Sequence, residues 1–272
     1  MALTLFGAHA EESGWQNILL LGGDARNMEQ YDRSDTMIIL SINRDEGLVK
    51  MTSIMRDTWV SYPGRKSPGK INAATVYGGP KLAVATVNNA FGTDIKDYVI
   101  INMEDLVTII DLLGGIDIEI TEEERGQINT YAASYTGTTY QGATSISEAG
   151  MVHLNGLLAM SYCRIRYIDS DYERVKRQQK VLLAMADKAQ NMEIYELSEV
   201  SDEIASVIQT SLDDEQLEDL VMAFMIMDVE DVDQFRIPVD GTFRSGMYKG
   251  VWLIAPNYDQ NKKLLHDFIY GE

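Results

Sequence analysis

Short apolar runs alternate with helically spaced apolar residues along the first third of the chain. Runs at 17–21, 36–42 and 48–54 have the length of buried strands, and the first is closed by a Gly-Gly pair. The turn-like residues 43–47 join the second run to the third, which predicts a β-hairpin. Apolar residues at 80–91 recur with helical spacing and are followed by a glycine that can stop the helix.

The alternation continues through the next segments. Residues 98–103 predict a strand, 104–113 a helix ended by a Gly-Gly pair, and 116–120 another strand. Because strands and helices alternate, we predict an α/β fold, and the hairpin makes its central sheet mixed, with helices flanking it (α/β/α). Residues 121–150 are rich in Thr, Ser, Gly, Tyr and Gln with little apolar periodicity, which predicts a long surface loop or lid.

The second half of the chain predicts helices followed by short strands. The predicted elements are helices at 156–162 and 172–188, two amphipathic acidic helices within 193–230, and strands within 235–256. With 272 residues, of which 45% are apolar, the chain can bury one large core or two modest ones. It contains no Pro-rich linker and no internal repeat, so we predict a single domain over 15–272, preceded by an N-terminal junction or flexible segment at 1–14.

Charge is distributed unevenly along the chain. The 42 Asp and Glu against 23 Lys and Arg give a net charge of −19, which argues against general nucleic-acid binding, because phosphates require clustered positive charge. Residues 191–234 contain fourteen carboxylates and no Lys or Arg, and solvated helices explain them. Residues 160–180 reverse this bias, with six cations against three carboxylates. This local reversal is the first indication of a functional site.

The cations of this segment are spaced so that several can face one ligand. Arg164 and Arg166 are two residues apart, and we expect the segment to be extended, which would place both guanidinium groups on one face. On the following helix, Arg174 and Gln178 share a face, and Arg177 lies on a neighbouring stripe. Convergent arginines repel one another unless an anion lies between them, and guanidinium matches phosphate oxygens. The pattern predicts a pyrophosphate site; salt bridges to nearby carboxylates are the alternative.

A second constellation lies around the first strands. Asp24 follows the first predicted strand and Asp35 opens the second, so the two carboxylates can converge on a divalent cation such as Mg²⁺ or Mn²⁺. An N-cap and a turn aspartate are the alternative. Arg56 follows the strand 48–54 at a sheet end, where ligands bind in α/β folds. Lys70 precedes a helix and can reach an anion there, but surface solvation is the alternative and is the more frequent outcome for a single lysine.

Other types of site are disfavoured. The sequence contains neither a phosphate-binding P-loop motif nor a nucleophile elbow, and the histidines at 9, 153 and 266 have no metal-ligand spacing. The single cysteine, Cys163, excludes an internal disulfide and is expected to be a buried structural thiol. No apolar stretch approaches the roughly 20 residues of a membrane span, so the sequence as given is expected to be soluble.

Seven segments occur in an order and spacing typical of one protein family. They are NILLLGGDAR, RSDTMIIL, SIMRDTWV, KINAATVYGG, IDLLGGIDIEI, LNGLLAMSYCRIR and DYERVKRQQKVLLA. Through them the chain resembles LytR-CpsA-Psr (LCP) proteins over roughly residues 15–190, with a weaker match to the chain end. The resemblance implies an extracytoplasmic α/β/α domain with a hydrophobic pocket for a polyprenyl chain and an arginine-lined mouth for its pyrophosphate.

The resemblance also implies roles for individual residues. Asp24 and Asp35 fall on the metal-binding positions, and Asp35, Arg56, Arg164 and Arg166 are implied as catalytic. The residues on pyrophosphate-contacting positions are Arg33, Arg56, Lys70, Arg164, Arg166, Arg174, Arg177 and Gln178, and Arg26 is a further candidate for such a position. The chain departs from the family in two places: Met55 stands where proline is usual and is expected to loosen the backbone before Arg56, and Cys163 stands where Val is common.

The implied function is that of an LCP-type phosphotransferase in cell-wall biogenesis. It would move a teichoic acid or a polysaccharide such as capsule from a polyprenyl-pyrophosphate carrier onto peptidoglycan with Mg²⁺ as cofactor. Family members are usually anchored by an N-terminal membrane helix, so a membrane anchor is expected in the native protein. Residues 82–91 and 104–113 are candidate walls of the lipid pocket, which core packing explains equally. Two other functions stay open: a non-catalytic polyprenyl-pyrophosphate-binding module, and a pyrophosphatase acting on the same lipid.

Overall fold

The computed structural model describes residues 14–23, 31–135, 140–166, 168–226 and 228–271. The chain forms two compact units: unit 1 comprises residues 1–102 and 209–272, and unit 2 comprises 103–208. The region predicted as a single domain, 15–272, therefore contains two units. The predicted N-terminal segment 1–14 lies, apart from its last residue, outside the described residues.

The elements follow one another along the chain as alternating strands and helices. The strands are β1 (Trp15–Gly23), β2 (Ser34–Asn43), β3 (Leu48–Ile54), β4 (Trp59–Val60), β5 (Gly69–Lys70), β6 (Asp97–Asn102), β7 (Ile116–Ile120), β8 (Gly150–Leu154), β9 (Gln209–Thr210), β10 (Asp233–Ile237), β11 (Phe243–Tyr248) and β12 (Val251–Pro256). The helices are α1 (Ala74–Phe91), α2 (Met103–Leu112), α3 (Glu122–Ser134), α4 (Gly156–Cys163), α5 (Asp171–Gln190), α6 (Ile194–Val207), α7 (Asp214–Ile226) and α8 (Tyr258–Tyr270), with short 3-10 helices at Ile71–Ala73 and Val229–Asp231.

Unit 1 is built on a six-stranded mixed sheet with the order β10-β3-β2-β1-β6-β9. β1 pairs with β6 and β3 with β10 in parallel, whereas the other neighbours are antiparallel. The predicted mixed sheet and the predicted hairpin between β2 and β3 are confirmed. Strand residues such as Leu19 and Ile39 are completely buried and share one core with Val87 and Phe91 of α1. The apolar spacing of 80–91 thus serves core packing.

α1 extends further towards the N-terminus than its spacing predicts. It contains a break at Gly78 and Gly79, and Gly79 has φ of 66°, a left-handed conformation that side chains rarely adopt. Pro80 restarts the helix after the break. Gly92, with φ of 72°, donates its N–H to the Asn88 carbonyl at 2.8 Å and stops the helix as predicted.

Unit 2 has its own core. β7 is a strand as predicted, but it pairs with β8 in a separate two-stranded antiparallel sheet. All eight residues of α4 are buried, and they pack with Ile116, Ile118 and Ile120 of β7. Of the two arrangements that the composition permits, the chain therefore forms two cores, one in each unit.

The expectation of a loop or lid over 121–150 is wrong for its first half. Residues 122–134 form α3, which begins with a capping box in which Thr121 accepts from the Glu124 N–H and the Glu124 side chain accepts from the Thr121 N–H. Only Ile128 and Ala132 of α3 are buried, so its apolar periodicity is weak. Residues 140–149 lack helix and strand, and 136–139 lie outside the described residues.

The acidic region forms the two predicted helices, α6 and α7. Arg44 in the β2–β3 turn reaches α7 and lies 2.5 Å from Asp219. In the described part of the chain we find no helix with the length and hydropathy of a membrane span.

Candidate active site

Asp35 and Arg56 meet at one end of the central sheet because of the register of two strands. β2 and β3 are antiparallel, and Ile38 lies opposite Ser53. Continued beyond the ladder, the same register brings Asp35, near the start of β2, opposite Arg56, just past the end of β3. Arg56 Nη1 lies 2.7 Å from Asp35 Oδ2. The hairpin alone therefore builds this ion pair.

Asn72 contacts the other oxygen of the Asp35 carboxylate. It lies in the 3-10 helix before α1 and is 3% exposed. Its Nδ2 donates to Asp35 Oδ1 at 3.1 Å, and its backbone N–H donates to the Arg56 carbonyl at 3.3 Å. Within the described residues, its buried Oδ1 has no hydrogen-bond partner. Asn72 thus orients Asp35 and leaves an acceptor beside it.

Lys70 and Asp57 complete a group of alternating charges. The Lys70 ammonium lies 2.5 Å from Asp57 Oδ1, and Arg56 Nε lies 4.0 Å from Asp57 Oδ2. Pairing of β4 with β5 places Lys70 opposite Trp59. The side chains of Asp35, Arg56, Asp57 and Lys70, which we call the sheet-end cluster, keep between 19% and 35% of their surface exposed. A polyanion can therefore reach both cations from solvent.

The backbone before Arg56 is held despite the replacement of proline by methionine. The Met55 N–H donates to the Ile237 carbonyl at 2.8 Å, a bond that proline lacks the donor to make. The Met55 sulfur lies 2.9 Å from Arg236 Nη1. The expected loosening at this position is therefore wrong, because β10 provides a hydrogen bond that fixes it.

Arg33 is exposed and immediately precedes β2, whose first residue is Ser34. Burial raises the pKa of Tyr62 to about 12, while the charge of Arg33 opposes this rise. The Tyr62 hydroxyl donates to the Lys70 carbonyl at 2.5 Å. Arg33 therefore acts electrostatically on the same sheet end as the cluster. Asp24 and Arg26 lie outside the described residues.

In unit 2, α5 carries Arg174, Arg177 and Gln178, all of which are buried. Arg174 is only 2% exposed, and it acts to lower the pKa of the adjacent Cys163 thiol, although burial raises that pKa to about 12. Cys163 is 6% exposed and stays protonated at neutral pH, as expected for a structural thiol. Arg174 and Arg177 of α5 are thus both close enough to α4 to act on its last residue.

Arg177 is enclosed by acceptors of unit 2. Its Nε lies 2.8 Å from Glu124 Oε1, its Nη2 pairs with Asp169, and its Nη1 donates to the Ile165 carbonyl at 3.4 Å. Burial acts to raise the pKa of Glu124, but the hydrogen bond from Arg177 and the capping bond at Thr121 hold that pKa below its usual value. These are the salt bridges that the sequence left as an alternative. A pyrophosphate contact by Arg177 remains a prediction.

Arg164 and Arg166 do not lie on an extended segment, so that expectation is wrong. α4 continues to Cys163, and Arg164 caps it with helical backbone angles of −91° and −7°. The helix begins at the Asn155 N-cap, whose side chain accepts from the Leu158 N–H at 3.0 Å, and all eight of its residues are buried, which keeps the backbone helical as far as Cys163. The Arg164 guanidinium lies 5.8 Å from the centre of the Tyr131 ring, and Arg166 is exposed.

Unit 2 also contains an open cleft of about 350 Å³. Its lining is mainly polar, with side chains of both positive and negative charge. The lining residues are Glu119, Ile120, Thr121, Glu124, Tyr162, Glu173, Lys176, Arg177 and Lys180. Lys176 lies 2.8 Å from Glu173, and Lys180 donates to the Glu119 carbonyl at 2.5 Å. A polyprenyl chain requires an apolar lining, so this cleft does not suit one.

Comparison with known proteins identifies the protein family. The model of the LytR_cpsA_psr family matches residues 6–267. The chain belongs to this family. The match covers both units, so the LytR_cpsA_psr region includes the sheet-end cluster, Arg164 and Arg166 after α4, and the arginines of α5.

Relatives in the family have a named activity. A protein of Halalkalibacterium halodurans called polyisoprenyl-teichoic acid–peptidoglycan teichoic acid transferase TagU is 30% identical over 243 residues, which are 88% of this chain and 74% of that protein. The TagU of Oceanobacillus iheyensis is 36% identical over 214 residues, 75% of this chain and 61% of that protein.

Solved structures of the family share the fold. A TagT structure described as bound to LIIa-WTA has a TM-score of 0.76 at 24% identity, covering 100% of this chain and 96% of that one. The protein gbs0355 of Streptococcus agalactiae has a TM-score of 0.78 at 24% identity, covering 97% and 90%. The α/β architecture with a mixed central sheet is therefore the LytR_cpsA_psr fold.

The structure leaves two family-derived expectations as predictions. The lipid pocket was expected to have residues 82–91 and 104–113 as its walls. Val84, Val87 and Phe91 are packed in the core of unit 1, and Ile110 in that of unit 2. For the metal, one of the two expected ligands, Asp35, lies within the described residues.

Proposed function

We propose that this chain is a phosphotransferase that moves a glycopolymer from a polyprenyl-pyrophosphate carrier onto peptidoglycan. The glycopolymer is a teichoic acid or another polysaccharide, such as capsule. The observation that carries the proposal is the Asp35–Arg56 pair at 2.7 Å, with Lys70 beside it, at a solvent-accessible sheet end. Relatives named as teichoic acid transferases support the choice of substrate.

The proposed reaction forms one P–O bond and breaks another. A sugar hydroxyl of peptidoglycan attacks the phosphorus that bears the glycopolymer, and the bond from this phosphorus to polyprenyl phosphate breaks. The products are a phosphodiester and polyprenyl phosphate. Asp35 is our candidate to accept the hydroxyl proton, because Asn72 and Arg56 orient its two oxygens while the side chain stays 35% exposed.

The cations stabilise the leaving group in this proposal. Charge develops on polyprenyl phosphate as its bond breaks, and positive groups fixed in advance lower the energy of that state. Arg56 is pre-oriented by Asp35, and Lys70 by Asp57. Arg164 and the exposed Arg166 stay candidates for phosphate contact on the ground of the family resemblance.

Magnesium fits the residues of this site. The Asp35 carboxylate presents hard oxygen atoms, and the described residues hold no cluster of three or more His, Cys, Asp or Glu side chains. Mg²⁺ requires no such cluster, since it binds through one or two carboxylates, water and substrate phosphates. Asp35 and Asp24 would hold the ion, which supplies neutralisation of pyrophosphate charge.

The proposed location is the outer side of the cell membrane, with the native protein membrane-anchored. The peptidoglycan acceptor lies outside the membrane, and the lipid carrier lies within it. Relatives whose names include both peptidoglycan and a polyisoprenyl-linked substrate support this location.

The test uses purified protein with Mg²⁺, a synthetic polyprenyl-pyrophosphate-linked oligosaccharide and uncross-linked glycan, with products measured by mass spectrometry. We expect glycan-linked product from the wild type and its loss in Arg56→Ala and Arg164→Ala. Arg44→Ala is the matched control, because Arg44 lies in the turn at the opposite end of the β2–β3 hairpin. Free phosphate-terminated polymer would instead indicate a pyrophosphatase, and donor binding without product would indicate a binding module.

A further inference from the structure

The hairpin formed by β11 and β12 in unit 1 exposes large apolar side chains at its end. Met247 is 66% exposed, Tyr248 57%, Val251 44% and Trp252 47%. We call residues 247–252 the hairpin tip. Isolated apolar residues are common on protein surfaces, but four of them around one turn form a patch, and such patches mark interaction sites.

The register of the hairpin indicates what kind of partner suits this patch. Met247 lies opposite Trp252, and Tyr248 lies opposite Val251. Successive residues of a strand point to opposite faces, so the first pair occupies one face of the ribbon and the second pair occupies the other. A folded protein that docks on one face of the ribbon would leave the apolar pair on the other face in water. A lipid bilayer would instead surround both faces, so it suits this arrangement better.

The charge of the hairpin differs from that of the whole chain. Residues 243–256 contain Arg244 and Lys249 and no carboxylate, within a chain of net charge −19. The Lys249 ammonium lies 5.5 Å from the centre of the Tyr248 ring, at the turn itself. Lys249 has φ of 48°, in a region where Asn, Asp and Gly are favoured, so the tip keeps a cation at a position that disfavours lysine. Tyr and Trp beside Lys are the residues that populate bilayer interfaces.

The base of the hairpin is bonded to the loop of the sheet-end cluster. The Ile254 N–H donates to the Asp57 carbonyl at 3.0 Å, and Thr58 forms a parallel bridge with Ile254. Asp57 directly follows Arg56 and pairs with Lys70. The hairpin and the cluster therefore belong to one hydrogen-bonded piece of unit 1.

We propose that the hairpin tip inserts into the surface of an anionic phospholipid bilayer. Trp252 and Tyr248 enter the headgroup region, Met247 and Val251 bury their apolar surface, and Lys249 pairs with lipid phosphate. Insertion sets the sheet-end cluster at the membrane surface, where a lipid carrier presents its pyrophosphate. This last role rests on the proposed function, whereas the insertion itself does not.

The first test measures co-sedimentation of the whole chain with vesicles of phosphatidylglycerol and phosphatidylcholine. We expect Met247→Ser/Trp252→Ser to lower the bound fraction at least about tenfold, because the lost apolar area sets interfacial affinity. Met222→Ser/Tyr195→Ser is the matched control, since these residues are 59% and 72% exposed on the acidic helices α7 and α6, and it should bind like the wild type. An equal loss in both variants, or no loss in the hairpin variant, would overturn the proposal.

A second variant isolates the charge of the tip. Lys249→Asn places a favoured residue at the positive-φ position, so the turn is retained while the cation is lost. We expect about fivefold weaker binding to phosphatidylglycerol vesicles and unchanged binding to pure phosphatidylcholine. Unfolding midpoints of all variants should match the wild type. Concentration-dependent dimerisation that the hairpin variant abolishes would assign the patch to a second copy of the chain and overturn the membrane proposal.

A third measurement separates this proposal from the proposed function. The transfer assay is run with a short-chain water-soluble donor and with the same headgroup on a long chain embedded in vesicles. The hairpin variant should lose about tenfold in its rate on the embedded donor relative to its rate on the soluble one. If the wild type transfers neither donor yet binds vesicles through the tip, the proposed function fails and the insertion stands. If the ratio of rates is unchanged in the variant, the role of insertion in catalysis fails.

Discussion

The sheet-end cluster of unit 1 and the ion pairs around Arg177 in unit 2 contain similar residues but differ in how far their cations are exposed and how many partners they have. In the sheet-end cluster of unit 1, Arg56 pairs with Asp35 and lies 4.0 Å from Asp57, Lys70 pairs with Asp57, and both cations stay partly exposed. In unit 2, Arg177 is 4% exposed and is engaged by Glu124, Asp169 and a backbone carbonyl. An anion can approach the sheet-end cluster while its ion pairs stay formed. To reach Arg177, an anion would have to break the ion pairs of Arg177 with Glu124 and Asp169.

The difference shows that a cluster of arginines in a sequence can have two meanings. Arg177 fastens α5 to α3 through Glu124, and the Thr121 capping box holds Glu124 in place. Arg56 makes no comparable contribution to a core, since it follows the end of β3 in a loop. We therefore expect changes at Arg177 to act mainly on stability and changes at Arg56 mainly on activity.

The largest effect is expected for Arg177→Met. Loss of the guanidinium leaves Glu124 and Asp169 without their partner in a largely buried site, and breaking such a pair costs about 3–5 kcal/mol. Chemical denaturation measures this loss. Lys176→Met is the control, because Lys176 is exposed on the same helix and should change stability by less than about 1 kcal/mol. Equal effects of the two variants would contradict the structural role of Arg177.

The next largest effect is expected for Arg56→Ala, on activity. Removing one pre-oriented positive group from developing phosphate charge should lower kcat/KM about 100-fold or more, which is roughly 2.7 kcal/mol. The unfolding free energy should fall by less than in Arg177→Met, because the Arg56 side chain keeps 19% of its surface exposed, against 5% for Arg177. A large loss of stability with unchanged kcat/KM would contradict the catalytic role of Arg56 and would give it a structural role like that of Arg177.

A smaller effect is expected for Asn72→Ala, since Asn72 is a positioning residue. The Asp35 carboxylate loses the hydrogen bond to its Oδ1, so we expect kcat to fall about tenfold with KM nearly unchanged. Asn43→Ala is the control, because Asn43 is buried at the far end of β2 and accepts a bond from the Glu46 N–H. If both variants change kcat alike, Asn72 has a purely structural role.

The smallest effect concerns pH. The pKa of Glu124 is held below its usual 4.5, so its charged form stabilises unit 2 above pH 4.5 and this stabilisation is lost as the pH falls through the lowered pKa. We expect the unfolding free energy to fall as the pH drops from about 5 to about 3, with a shallower slope in Glu124→Gln. Identical slopes would show that the Arg177–Glu124 bond does not contribute to acid stability.

Local patterns predicted most elements of the chain. The strand runs, the β2–β3 hairpin and the Gly92 stop were correct because each depends on neighbouring residues. α3 was missed because only Ile128 and Ala132 face the core and its composition resembles a loop. The capping box Thr121-x-x-Glu124 and the acidic first turn at Glu122 and Glu123 are the local signals for its start.

The candidate site was only partly predictable. Asp35 and Arg56 were recognised by their places next to strand ends and Lys70 by its place before a helix, but the pairing of Lys70 with Asp57 was not foreseen. Nor was the bond from Asn72 to Asp35. For Arg164 and Arg166 the two-residue spacing predicts an extended backbone, whereas the buried apolar run of α4 keeps the chain helical up to Cys163.

The sequence by itself determined the mixed α/β architecture and the family, because strand length, glycine stops and the order of the seven motifs are local properties. Only the tertiary structure decided which cations are engaged in the core and which face solvent. It also bonded the base of the β11–β12 hairpin to the loop of the sheet-end cluster. Burial and partner choice depend on residues far apart in the chain, such as Arg177 with Glu124 and Ile254 with Asp57. No window of sequence contains both partners of such a contact.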